Sequence, residues 1–101
     1  MKGKNEVYTE RIVSLIEDER FFLSKGFNLE CLSNILMIPK IKAEVLIQIA
    51  YNASFEEVVE VCRICYARKI LLEQNVPFST IWKHSGFSSF YRFKKMLAKY
   101  Y

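Results

Sequence analysis

The sequence carries no carboxylate beyond Glu73, and in 101 residues it has only one histidine, two prolines, three glycines and three cysteines. Nowhere does it hold an apolar run near the ~18 residues that a membrane-spanning helix needs. Each shortage excludes something. So few prolines and glycines, with little β-branched alternation, leave no hairpin signal. A lone histidine, His84, without a nucleophile or acid partner offers no catalytic dyad or triad. No phosphate-binding loop or paired-carboxylate motif is present either, so no enzyme and no cofactor are expected. Cys62-x-x-Cys65 falls in mid-helix on an apolar face, and the remaining soft ligands, Cys31 and His84, are not paired at zinc-site spacing. The two cysteines therefore read as small core residues, with no metal. Three cysteines without a secretion signal fit a reducing compartment. Four charged residues in the first ten argue against a signal peptide, so a soluble, cytoplasmic chain without a membrane partner is expected.

Hydrophobic residues make up 51% of the sequence, and they recur at i, i+3 and i+4 through most of it. This predicts one all-α domain over residues 1–101, with no room for a separate sensor domain and no small-molecule effector evident. A first packing helix is expected from Glu6 to about Leu23, ended by Ser24-Lys25-Gly26 with Gly26 as C-cap. Asn28 caps a short helix through Leu36, and Pro39 suits the first turn of the next, Lys40 to about Tyr51. Ser54 and Glu57 form a capping box for a long helix from Phe55 to about Gln74. That helix is apolar on more than one face and must be covered on both sides.

Charge is concentrated in the last segment. Residues 1–76 hold ten bases and eleven acids, whereas Pro77 to Tyr101 holds five bases (Lys83, Arg92, Lys94, Lys95, Lys99) and no acid. Within it an apolar-spaced run, Phe78, Ile81 and Trp82, breaks at Ser85-Gly86 and resumes as Phe87, Phe90, Phe93 and Leu97. A helix, a short glycine-containing turn and a basic second helix make the pattern of a DNA-binding helix-turn-helix. Ser88 or Ser89 caps the second helix and leaves its first N–H groups open to a phosphate.

Gly86-Phe87-Ser88-Ser89-Phe90-Tyr91-Arg92-Phe93-Lys94-Lys95 resembles the second helix-turn-helix of the AraC/XylS family of bacterial transcription regulators, and Arg63-Ile64-x-x-Ala67-x-x-Ile70-Leu71 resembles the family's linker helix. Together with Phe55, which opens that helix, the resemblance covers roughly residues 8 to 101. It implies two homeodomain-like helix-turn-helix units, at about 28–51 and 78–100, joined by a linker helix at about 55–74. It also implies sequence-specific binding of double-stranded DNA in transcription control. By the same resemblance Phe90, Tyr91 and Lys95 face bases from the second unit, and Ile41, Glu44 and Val45 from the first. Ser88, Ser89, Arg92, Lys94, Lys99, Lys83, Lys40 and Lys42 are the candidate phosphate contacts.

Some features depart from the family pattern. Ser33 and Met37 stand at the usual Ala and Gly of the first motif, which predicts a looser or differently wound turn. Trp82 replaces a small residue, and its ring must turn outward or push the helices apart. The chain stops at Tyr101, before the family's terminal G-x-x-P and Tyr-Arg helix. Ile41, Glu44 and Val45 are a poor set for a polyanion, so the alternative is an AraC-like interaction module that binds another regulator through its first unit. RNA polymerase or another regulator is the candidate protein partner. Purified, reduced protein is expected to contain no stoichiometric zinc by elemental analysis, and replacing Cys62 and Cys65 with Ser to disturb stability only as core changes do.

Overall fold

A computed structural model of the chain describes residues 3–101 and holds six α-helices, with no strand among the described residues: α1 Lys4–Val13, α2 Leu29–Leu36, α3 Lys40–Tyr51, α4 Phe55–Glu73, α5 Ile81–His84 and α6 Phe90–Tyr100. The chain forms two compact units. The first runs up to Phe21 and then from Gly26 to Val58; the second takes Phe22–Lys25 and Val59–Tyr101.

In the first unit α3 packs against both α1 and α2, and Ile12, Leu15, Ile16, Leu32, Ala43, Leu46 and Ile47 are buried. The first helix is shorter than its periodicity predicts. It widens into a π-helical turn over Ser14–Asp18, where the Glu19 N–H donates to the Ser14 carbonyl at 2.9 Å. It then stops at Arg20, which takes a left-handed φ of 57°; Gly26 does not take that role. The cause is a parting of two neighbouring rings. Phe21 meets Phe27 edge-on within the first unit (5.7 Å), while Phe22 meets Tyr66 within the second (5.9 Å). Phe21–Leu23 is accordingly a separate 3₁₀ turn.

Capping follows the local sequence. The Asn28 side chain accepts from the Cys31 N–H at 2.8 Å and opens α2. The α2–α3 turn is tight, because Met37 adopts the left-handed φ of 56° that glycine would take, with its side chain 89% exposed. Buried Ser33 donates back to the Glu30 carbonyl at 2.8 Å and fits the space of an alanine there. Ser54 accepts from the Glu57 N–H at 3.2 Å and donates to the Glu57 carboxylate at 3.3 Å, opening α4.

The first turn of α4 belongs to the first unit, where Phe55 meets Phe27 with ring centroids 5.2 Å apart, and the rest to the second. There Ile64, Ala67 and Ile70 enter a core with Ile81, Phe87, Phe93 and Met96, and Leu71 packs against it. The opposite row of α4 stays in solvent: Cys65, Arg68 and Leu72 are exposed, and Cys62 is half-buried. The core reading of the cysteines therefore fails for Cys65. It lies one position from Ile64, about 100° around the helix, on the uncovered side.

The second unit's first helix is only Ile81–His84, because Phe78–Thr80 forms turns closed by the Thr80 N–H on the Pro77 carbonyl at 3.0 Å. Trp82 packs half-buried at the edge of the core and donates its indole N–H to the Ser79 carbonyl at 3.1 Å, which accommodates its bulk. Gly86 has φ +89°, and a Cβ there would collide with the Phe22 carbonyl oxygen and lie 2.9 Å from Arg63 Nε. Only glycine satisfies both restrictions. Gly86→Ala is expected to destabilise the protein by more than about 2 kcal/mol in chemical denaturation. Ile64→Ala is expected to cost about 2–5 kcal/mol, and Cys65→Ser to stay within about 0.5 kcal/mol as a surface change does.

Candidate nucleic-acid interface

The basic helix α6 starts where Ser89, in extended backbone, accepts the Arg92 N–H at 3.1 Å. Its 3.6-residue period then divides the side chains cleanly. Phe93 and Met96 are buried, with Phe90, Leu97 and Tyr100 packed against the same core. Tyr91, Arg92, Lys94, Lys95, Ala98 and Lys99 are exposed, and Tyr91 stands 72% open. Tyr91, Lys95 and Lys99 follow one another at i, i+4 and i+8, so they share one row with cations beside it and no carboxylate on the helix.

The candidate residues do not all have the same freedom. Phe90 is half-buried, its ring 5.7 Å from Phe78 and 6.2 Å from Phe93, so this ring belongs to the packing of the unit. Lys94 lies over its outer side at 5.6 Å. The Lys83 ammonium sits 5.5 Å from the Trp82 ring, with Lys25 at 5.2 Å. Ser88 is exposed before the cap. Lys99 is held by Glu60, to which it donates at 3.2 Å, and Tyr100 donates to the same carboxylate at 2.9 Å.

Glu60 and Arg63 make contacts that no local spacing announces, since they join residues about forty apart. Arg63 donates through Nε to the Phe22 carbonyl at 2.7 Å and through Nη2 to the Ser24 carbonyl at 2.9 Å. Burial and, second, the charge of Arg92 pull its guanidinium below its ordinary pKa, while Glu60 opposes them. Arg63 and Arg92 therefore place two cations near the start of α6.

In the first unit Ile41, Glu44 and Val45 share the exposed side of α3 with Lys40. Lys42 is half-buried, its ammonium 4.9 Å from the Tyr8 ring. Two cations, one carboxylate and two aliphatic side chains make a far weaker anion surface than α6. Elsewhere, a groove of about 330 Å³ in the second unit is lined by apolar residues including Leu71, Leu72 and Leu97, with Arg68 its one charged group. It offers no acid–base pair. Among the described residues no three of His, Cys, Asp and Glu converge as metal ligands, and no helix is long and apolar enough to cross a membrane.

No family model matches the chain, and no curated protein matches it in sequence. Solved structures do. The C-terminal domain of AraT, a response regulator from Geobacillus stearothermophilus, superposes with a TM-score of 0.85 at 18% identity, over 96% of this chain and 78% of that one. The C-terminal domain of the two-component response regulator yesN from Fusobacterium nucleatum subsp. nucleatum superposes at 0.79 with 19% identity, over 98% of this chain and 97% of that one. This chain has an AraC-type fold.

The Glu60 contacts give a pH test within this fold. Burial first, and then the bond to Glu60, raise the Tyr100 phenol above its ordinary pKa. Its contribution to stability is thus fully present below the unfolded value near 10 and is lost as pH rises through the higher folded one. In an ultraviolet titration of tyrosinate, Tyr100→Phe is expected to remove a late, high-pH step and leave the earlier ionisations in place.

Proposed function

We propose that this chain is the DNA-binding part of a bacterial, cytoplasmic transcription regulator of the AraC/XylS type, without catalytic activity, and that it reads double-stranded DNA mainly through its second unit. The observation that carries this reading is the exposed face of α6: Tyr91, Arg92, Lys94 and Lys95 on a capped helix after a glycine turn, with no acid beyond Glu73. A helix of this size enters the major groove. Tyr91 and Lys95, on one row, meet base edges, and Arg92, Lys94 and Ser88 meet phosphates. Phe90 is held in the packing of the unit by Phe78 and Phe93. Lys83 flanks at the turn, and Lys99 contributes as far as Glu60 releases it. Lys40 and Lys42 add little beside Glu44.

The apolar exposure of Ile41 and Val45 favours a second reading, in which the first unit binds protein, whether RNA polymerase or another regulator, in place of base edges. The two readings make different demands on salt. Selection from random duplexes, followed by affinity measurement across a salt series, is expected to enrich one motif and to give a steep salt slope. Lys94→Ala and Arg92→Ala should each lower that slope by about 1, Lys40→Ala and Lys42→Ala by less, and Lys95→Ala should weaken binding and relax the enriched motif. Glu60→Gln, which releases Lys99, should raise it. A flat slope with no enriched motif would leave the solvated charge of α6 without a DNA role.

A further inference from the structure

Lys25 is remote from the basic segment in sequence, but the fold brings it there. The Phe22–Lys25 segment belongs to the second unit, where Arg63 holds the Ser24 carbonyl at 2.9 Å, one residue before Lys25. The Lys25 ammonium comes to rest 5.2 Å from the centre of the Trp82 ring, and the Lys83 ammonium 5.5 Å from the same centre. Both lysines are exposed, and among the described residues neither has a carboxylate partner.

Two ammonium groups on one indole are each attracted by the ring and repelled by one another. The unit supplies no acid to relieve that repulsion. It holds nine lysines and arginines against two carboxylates, Glu60 and Glu73; Glu60 is taken up by Lys99 and Tyr100, and Glu73 ends α4. An anion from outside the chain completes the arrangement.

We infer that Lys25 and Lys83, on the platform of Trp82, bind backbone phosphates of one DNA strand beside the groove that α6 enters. The inference rests on the reading of α6 as the DNA-facing helix and adds to it a contact supplied from the first third of the chain. Continuity selects this occupant. The Gly86 turn, which leads to α6, lies against the Phe22 carbonyl, Leu23 and Arg63, and Arg63 stands within the field of Arg92 at the start of α6. Lys25, Arg63 and Arg92 thus carry the positive surface of α6 around its beginning to the Trp82 platform. Regularly spaced phosphates along a strand can meet these cations together, and a lysine binds each as a point charge. Resting on the ring confines two long side chains before the phosphates arrive, which lowers the ordering cost of binding. Such contacts fix where the duplex backbone crosses the unit and carry no base information.

Trp82 is the one tryptophan of the chain, so its emission reports on this platform alone. Titrating the full chain with the duplex enriched by selection is expected to change Trp82 emission with the same midpoint as the anisotropy of a labelled duplex. Lys25→Ala and Lys83→Ala should each lower the salt slope by about 1, and the double variant by about 2. Their affinity loss should be the same factor on the enriched duplex and on a scrambled one. Lys69→Ala removes an exposed lysine of the same unit from another side of α4 than Arg63, and should leave the slope unchanged. All three lysines are exposed, and thermal melts check that the fold survives. If Lys94→Ala lowers the slope while Lys25→Ala and Lys83→Ala do not, the platform is overturned and the reading of α6 stands. A slope lowered equally by Lys69→Ala would make the effect one of net charge and overturn the platform too. So would saturation of Trp82 emission by inorganic phosphate at the concentrations used for the duplex, which would give the platform to a free anion. A chain that binds no duplex removes both readings together.

Discussion

Arg63 holds two backbone carbonyls, those of Phe22 and Ser24, and Gly86 lies against the same junction with no room for a Cβ. Much of the second unit depends on this arrangement. A short segment from early in the chain, Phe22–Lys25, is captured by a side chain of α4 and by the turn that launches α6. An arginine suits the task because its planar fork can satisfy two carbonyls at once, where an ammonium would bind as a point charge. Burial makes the charge costly, and the hydrogen bonds offset that cost. The consequence reaches α6: the turn at Gly86 sets the direction in which its basic face leaves the core.

The charge of the second unit is distinguished by its placement more than by its amount. Phe87, Phe93 and Met96 claim one side of α6 and its surroundings, so every cation of the helix must go to the other side. Glu60 tempers that surface at its far end by holding Lys99 and Tyr100. The result is a gradient along one helix. Cations near its start have no carboxylate partner in view, and the last one is already paired.

The first unit presents a different surface. Its α3 is buried on one side as α6 is, yet its open side carries aliphatic residues and a carboxylate. Domains that share only 18% and 19% identity with this chain keep its fold, because the fold asks for apolar volume at periodic positions and for capped helix ends. Exposed faces are under no such demand. Two helices of one fold are thus free to present different chemistry.

The helices themselves were legible in the sequence wherever a local rule governed them. Asn28, Ser54 and Ser89 cap α2, α4 and α6 through side chains reaching their own backbone, and the clustering of bases after Glu73 needs no structure to be seen. Contacts distant in the chain decided the rest. The first helix breaks at Arg20 because Phe21 and Phe22 pack in different units, and Phe90 is half-buried because Phe78 folds back onto it. Cys65 surfaces because only one side of that turn of α4 is covered. Periodicity tells which residues share a face, but it does not tell whether anything arrives to cover that face. The partners of Arg63 and of Glu60 could therefore be assigned only once the chain was folded.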